Sequence, residues 1–125
     1  SSVYGVTKIF GELLGEVYAR QNDMSVTCMR LAQPVPMYRL QWGTDDIESV
    51  IAKGMAVAFG DIARAVNVAL EQREPGWRVF NVVSQCDGVA CNFDLSAGAE
   101  LGFIPMQKVT RDGEIDLSDA EASST

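Results

Sequence analysis

Tyr4-Gly5-Val6-Thr7-Lys8 sets a phenol and an ammonium four residues apart, which on a helix means one shared face. The pairing has an acid–base use. A free phenol titrates near ~10, too high to exchange protons readily at neutral pH. A neighbouring ammonium favours phenolate, and the positive end of a helix dipole acts in the same direction. A tyrosine in that setting can pass a proton to or from a substrate hydroxyl or carbonyl. The bare Tyr-x-x-x-Lys spacing is a frequent chance match, and taken alone it equally describes a half-buried tyrosine beside a surface lysine.

The helix that carries the pair is the strongest element in the chain. Over residues 5–20, Val6, Ile9, Phe10, Leu13, Leu14 and Val17 form one apolar stripe on a 3.6-residue period, and Asn22-Asp23 ends it. Residues 25–32 are β-branched and almost continuously apolar, the pattern of a strand buried on both faces, with Pro34 and Pro36 stopping it. Asp45 or Asp46 caps a short helix through Ile47, Val50 and Ile51, with Gly54 past its end, and 55–59 follow as a short strand. Asp61 is expected as the N-cap of a helix over 62–72. Residues 77–84 read as a second buried strand, and Asp94 caps a third clear helix ending at Gly102, weakened by Gly98. From about Val109 an acidic, small-residue tail is expected to be mobile. The domain boundaries are therefore 1–108 and 109–125.

Buried-type strands alternating with amphipathic helices indicate an α/β fold with parallel pairing. Two core strands make a very small parallel sheet, and the first helix has no strand before it to cross from. This predicts a portion of a larger sheet. The helix over 5–20 would then be free to pair with a second copy of the chain.

Counts exclude other chemistries. The chain has 125 residues, one ordinary domain, and no histidine, so Ser-His-Asp triads and His-ligated metal sites are absent. Cys28, Cys86 and Cys91 contain no Cys-x-x-Cys pair, so no metal site is expected. Cys28 reads as a buried, inert thiol; Cys86 and Cys91 are either reduced or paired across a loop. A net charge of −7 argues against nucleic-acid or anionic-membrane partners. With no apolar run near the ~20 residues of a membrane span and no signal peptide, the sequence reads as soluble and cytoplasmic.

Tyr4-Gly-Val-Thr-Lys-Ile-Phe-Gly-Glu12, the strand ending Met29-Arg30-Leu31, Phe59-Gly-Asp-Ile-Ala-Arg-Ala-Val66, Phe80-Asn-Val-Val-Ser84 and Asp94-Leu-Ser…Leu101-Gly-Phe-Ile-Pro105 occur in this order. Over residues 2–106 the chain resembles the C-terminal half of extended short-chain dehydrogenase/reductases, the NAD-dependent epimerase/dehydratase group. Within that group it is most similar to uronate dehydrogenases and nearby epimerase-like proteins. The resemblance implies a partial Rossmann-like fold: the C-terminal half of a doubly wound parallel sheet with the start of the small substrate-binding region.

By the same resemblance, Tyr4 is the catalytic acid/base, and Lys8 its partner that favours phenolate and binds the cofactor ribose. Arg30 ends the strand that delivers the chain to the nicotinamide, and Leu31, Ala32 and Pro34 pass along the cofactor. Many relatives carry an aromatic residue and an asparagine where Ala32 and Gln33 stand, so Gln33 is a substrate contact on position alone. Arg39 either meets an anionic group of a sugar or nucleotide-sugar substrate or is a solvated surface arginine. The cofactor implied is NAD or NADP.

The chain departs from the family in three places. It lacks the Gly-rich phosphate loop, the acidic residue that reads the adenosine ribose, and the upstream catalytic Ser or Thr, for which Ser1 and Ser2 stand too close to Tyr4. The missing N-terminal Rossmann half becomes the expected partner. Two readings follow: a portion of an NAD(P)-dependent sugar-modifying enzyme, inactive by itself, or a non-catalytic binding module on the same scaffold.

Overall fold

The computed structural model describes residues 2–35 and 47–116. Helix α1 (Val3–Asn22) opens with the Ser2 hydroxyl accepting a hydrogen bond from Gly5 N at 3.1 Å, and closes on Asp23 in the left-handed region. Ser2 is thereby occupied as an N-cap. Strand β1 (Ser25–Leu31) follows, then β2 (Gln33–Val35), α2 (Ile47–Ala52), β3 (Ala56–Ala58), α3 (Phe59–Glu71), β4 (Gly76–Val82), β5 (Gln85–Cys86), α4 (Ser96–Leu101) and β6 (Lys108–Val109).

Every strand pair is parallel: β1 with β4, β2 with β3, β5 with β6. The α/β class and the parallel pairing expected from the sequence are what the fold shows. The expected short strand over 55–59 is β3, and β2, β5 and β6 come in addition to the expected strands. Pro34, expected to stop the first strand, instead lies within β2. The Gln33 N–H points to the Met55 carbonyl at 2.8 Å, so strand alternation turns the Pro34 nitrogen away from β3 and no ladder bond is lost. The strand changes partner at Ala32, whose N–H still bonds Val82 O at 3.0 Å.

The short strand β3 divides the interior. Ala56 and Ala58 join Val35, Val50, Ile51, Cys86 and Val109 in one cluster; Val57 faces Ala65, Phe80, Val82 and Phe103 in the other. In the second cluster α4 packs closely on β4. A Cβ on Gly98 would sit 3.1 Å from Phe80 Cδ2 and 3.4 Å from Phe103 Cδ2, and both rings are buried. This is why a glycine interrupts that helix. Gly98→Val is expected to lower the unfolding free energy by roughly 1–3 kcal/mol through overpacking. Gly11→Ala in α1, where a Cβ meets nothing within 4 Å, should instead gain up to about 1 kcal/mol. Urea denaturation of the two variants checks both signs.

Three sequence expectations are corrected. Asp61 is not an N-cap: α3 begins two residues earlier, Ala58 holds the cap position, and Asp61 is fully buried in the first turn. Its carboxylate accepts from Ser84 Oγ at 2.5 Å, Met106 N at 2.9 Å and Gln107 N at 3.2 Å, with Arg64 Nη1 at 3.1 Å. The tail expected to be mobile from Val109 begins as ordered chain. Val109 is fully buried, and Ile115 bridges to it and packs on the first cluster, so the boundary after residue 108 cuts through β6. Residues 117–125 lie outside the described residues. Cys28, expected to be buried, is only half-buried.

Helix α1 rests on β1 and β4, yet Ala19 is its one buried residue. Val6, Ile9, Phe10, Leu13, Leu14 and Val17, the whole predicted stripe, are exposed. No described helix is long and apolar enough to cross a membrane.

Candidate active site

The first turn of α1, the C-terminal end of β1 and the start of β2 form the site. In parallel α/β sheets, ligands bind outside the carboxyl ends of the strands, where loops diverge. Tyr4 stands in the first turn of α1, 70% exposed, and Lys8 lies one turn on with its Nζ 5.2 Å from the Tyr4 ring centroid. The ammonium thus lies beside the phenol ring, held there by helical spacing alone. Thr7 Oγ1 donates to the Tyr4 carbonyl at 2.6 Å and leaves the phenol itself unencumbered.

Two clefts share Tyr4, Arg30 and Leu31. The first, about 780 Å³, runs along α1 past Lys8, Glu12 and Cys28. The second, about 640 Å³, gathers Tyr4, Ala32, Gln33 and Pro34 with Lys53, Asn81 and Phe93. Of the residues singled out in the sequence, Tyr4, Lys8, Leu31, Ala32, Gln33 and Pro34 therefore meet at one end of the sheet. Arg39 lies outside the described residues.

Arg30 has a defined task. Its Nε and Nη2 donate to the two Glu12 oxygens at 2.8 and 2.7 Å, a bidentate pair that ties α1 to the end of β1. The Arg30 hydrogen bonds hold the Glu12 carboxyl below its usual range, and Glu12 in turn raises Arg30. A depressed carboxyl stabilises the fold above its unfolded value of about 4.3, and the contribution is lost as pH falls through the folded value. Glu12→Gln should remove that acid-limb dependence, so the melting temperatures of wild type and variant converge as the pH falls through the lowered folded value. Arg30 is 59% exposed, so the gap at neutral pH is expected to be under about 1 kcal/mol. A melting series across pH that stays parallel for the two proteins would count against it.

Sequence reasoning missed Glu12, Lys53, Asn81 and Phe93. Asn81 carried a signal, a carboxamide inside the apolar run of β4; its Nδ2 donates to Asp94 O at 2.9 Å. Asp94 itself accepts from the Ser96 hydroxyl and N–H at 2.6 and 2.9 Å, which hold its carboxyl low. It thus serves the start of α4 from one residue outside the N-cap, Leu95. Lys53 carried no signal, since only the tertiary fold brings it to the cleft.

No protein-family model and no curated protein matches the chain. Two solved structures do resemble it. One is the glucuronic acid dehydrogenase of Chromohalobacter salexigens, with a TM-score of 0.65 and 22% identity over 86% of this chain and 36% of that one. The other is a mutated uronate dehydrogenase, with a TM-score of 0.65 and 23% identity over 94% of this chain and 42% of that one. The chain thus spans about two-fifths of their length, and the likeness establishes a partial Rossmann-like fold.

Proposed function

We propose that the chain supplies the proton-transfer and substrate side of an NAD(P)-dependent sugar oxidoreductase of the extended short-chain dehydrogenase type. The observation that carries this is the placement of Tyr4 and Lys8 on one helix face by the carboxyl end of β1, with Lys8 lining the first cleft and Tyr4 shared by both. The two similar structures are dehydrogenases, of glucuronic acid and of a uronate, which favours oxidation of a sugar acid over epimerisation.

In this reading Tyr4 takes the proton of the substrate hydroxyl while Lys8 holds the ribose of the dinucleotide. The apolar turn at Leu31, Ala32 and Pro34 flanks the nicotinamide end, and Gln33 faces the substrate. When bound, the nicotinamide supplies the hydride acceptor. These residues fit that end of the cofactor; the phosphates need a Gly-rich turn that this sequence does not contain, so a Rossmann half outside these residues is the proposed partner.

The test is to express the whole open reading frame containing these residues and follow nicotinamide absorbance with glucuronate, galacturonate and glucose. Reduction of NAD⁺ or NADP⁺ by a sugar acid is expected. Absence of reduction with every sugar, by a protein that does bind dinucleotide, would overturn the reading in favour of a binding module.

A further inference from the structure

Helix α1 is held to the sheet unevenly along its length. Its C-terminal half packs closely: Ala19 is buried, and a Cβ on Gly15 would sit 3.1 Å from Val26 Cγ1 and 3.7 Å from Cys28 Sγ. Its N-terminal half stands off. Between residues 3 and 14 every residue is exposed except Gly5 and Glu12, and the cleft of about 780 Å³ opens between this half and the end of β1. The Glu12–Arg30 pair spans the two walls of that cleft. Among the described residues no other hydrogen bond or ion pair joins residues 3–14 to another element. Glu16, the next acid along, pairs with Arg20 inside the helix itself. Glu12 follows Lys8 by four residues as Lys8 follows Tyr4, so all three share one helix face. Two parallel bonds from a planar guanidinium fix direction as well as distance, which a single point contact does not.

We propose that the Glu12–Arg30 pair is the positioning element of the site. It fixes the height and rotation of the first three turns of α1 over the end of β1, and so sets where the Tyr4 phenol and the Lys8 ammonium stand. What Tyr4 does there rests on the proposed function; the anchoring of α1 does not. Two rival roles exist. The pair is a surface contact adding only a little stability, or Arg30 is itself a ligand contact, since it lines both clefts.

Two measurements separate these roles, the first without any substrate. In the 125-residue chain, N-ethylmaleimide labelling read by mass spectrometry gives each cysteine its own rate. Cys28 is half-buried on the strand wall of the cleft, and Cys86 is buried in the other part of the interior. Glu12→Gln and Arg30→Gln should each speed Cys28 labelling about threefold as α1 lifts, with Cys86 unchanged. An effect of charge alone on the thiol has opposite signs in the two variants, since one loses an anion and the other a cation. Opposite signs, unchanged Cys28 labelling, or equal acceleration of Cys86 overturns the anchor.

The second measurement is turnover of a sugar acid by the protein of the whole open reading frame. Both variants should lower kcat by about tenfold and leave both KM values within about twofold, since a misplacement of about 1 Å costs up to 10²-fold. Arg30→Lys keeps the charge and loses the fork, so it should lose as much. The double variant should be no slower than either single one, because both remove the same link. Wild-type kcat in Glu12→Gln or Arg30→Lys, or single effects that multiply in the double variant, overturns the positioning role. A raised KM in Arg30→Gln alone makes Arg30 a ligand contact instead. The two readings fail separately. Pair-dependent Cys28 labelling without any nicotinamide reduction leaves the anchor and removes the oxidoreductase, whereas turnover indifferent to the pair does the reverse.

Discussion

Asp61→Ala is expected to destabilise the chain by about 3–5 kcal/mol, the summed cost of several donors left without their shared acceptor. The carboxylate is fully buried and joins three separate segments. Ser84, just beyond β4, donates its hydroxyl to Asp61 and accepts from Ala58 N at 2.8 Å, while Met106 and Gln107 donate their backbone N–H groups from the approach to β6. Alanine leaves those three donors facing a void, and each buried donor without a partner costs about 1–3 kcal/mol. Asp61→Asn discriminates between this network and simple helix capping. Asparagine is as good a cap as aspartate, so a capping role predicts a change near zero. In the network, one carboxylate oxygen becomes an NH₂ that points at other donors, so Asn should lose most of what Ala loses. Urea denaturation followed by circular dichroism measures both variants, and an Asn variant within about 0.5 kcal/mol of wild type would return Asp61 to a local role.

The same residue shows what was legible in the sequence and what was not. Aspartate ahead of an amphipathic run is a sound capping signal, and it placed α3 within a few residues. Nothing local announces that Ser84 and the 106–107 backbone converge on that carboxylate, because those contacts span 23 to 46 positions. Elements with long periodic signals, α1 above all, were readable because the apolar period is set by helix geometry. Strands β2, β5 and β6 were not, since strands of two or three residues carry too few side chains to show alternation. In the site, Tyr4 and Lys8 were readable because their contact is within one helix. Lys53 was not, because its place at the cleft is set by the tertiary fold and not by spacing.

If Tyr4 exchanges the substrate proton, Tyr4→Phe lowers kcat by at least roughly a hundredfold in the protein that carries this chain, since general acid–base steps contribute about 10²–10⁴-fold. The substitution is clean by geometry. The ring is 70% exposed, no described group bonds its hydroxyl, and phenylalanine keeps the face that Lys8 Nζ approaches at 5.2 Å. Stability should therefore change by less than about 1 kcal/mol, and dinucleotide affinity should persist. Lys8→Met separates the second half of the pair. It removes the charge beside the phenol and, on the proposed reading, the ribose donor with it, so that reading has the dinucleotide KM rise while the fold is retained. A surface tyrosine beside a surface lysine predicts the opposite pattern, with turnover and both KM values near wild type in each variant. Steady-state kinetics with sugar acid and dinucleotide varied in turn distinguishes the two. A Tyr4→Phe protein with near-normal kcat would remove the phenol from the mechanism and leave α1 as the wall of a binding cleft.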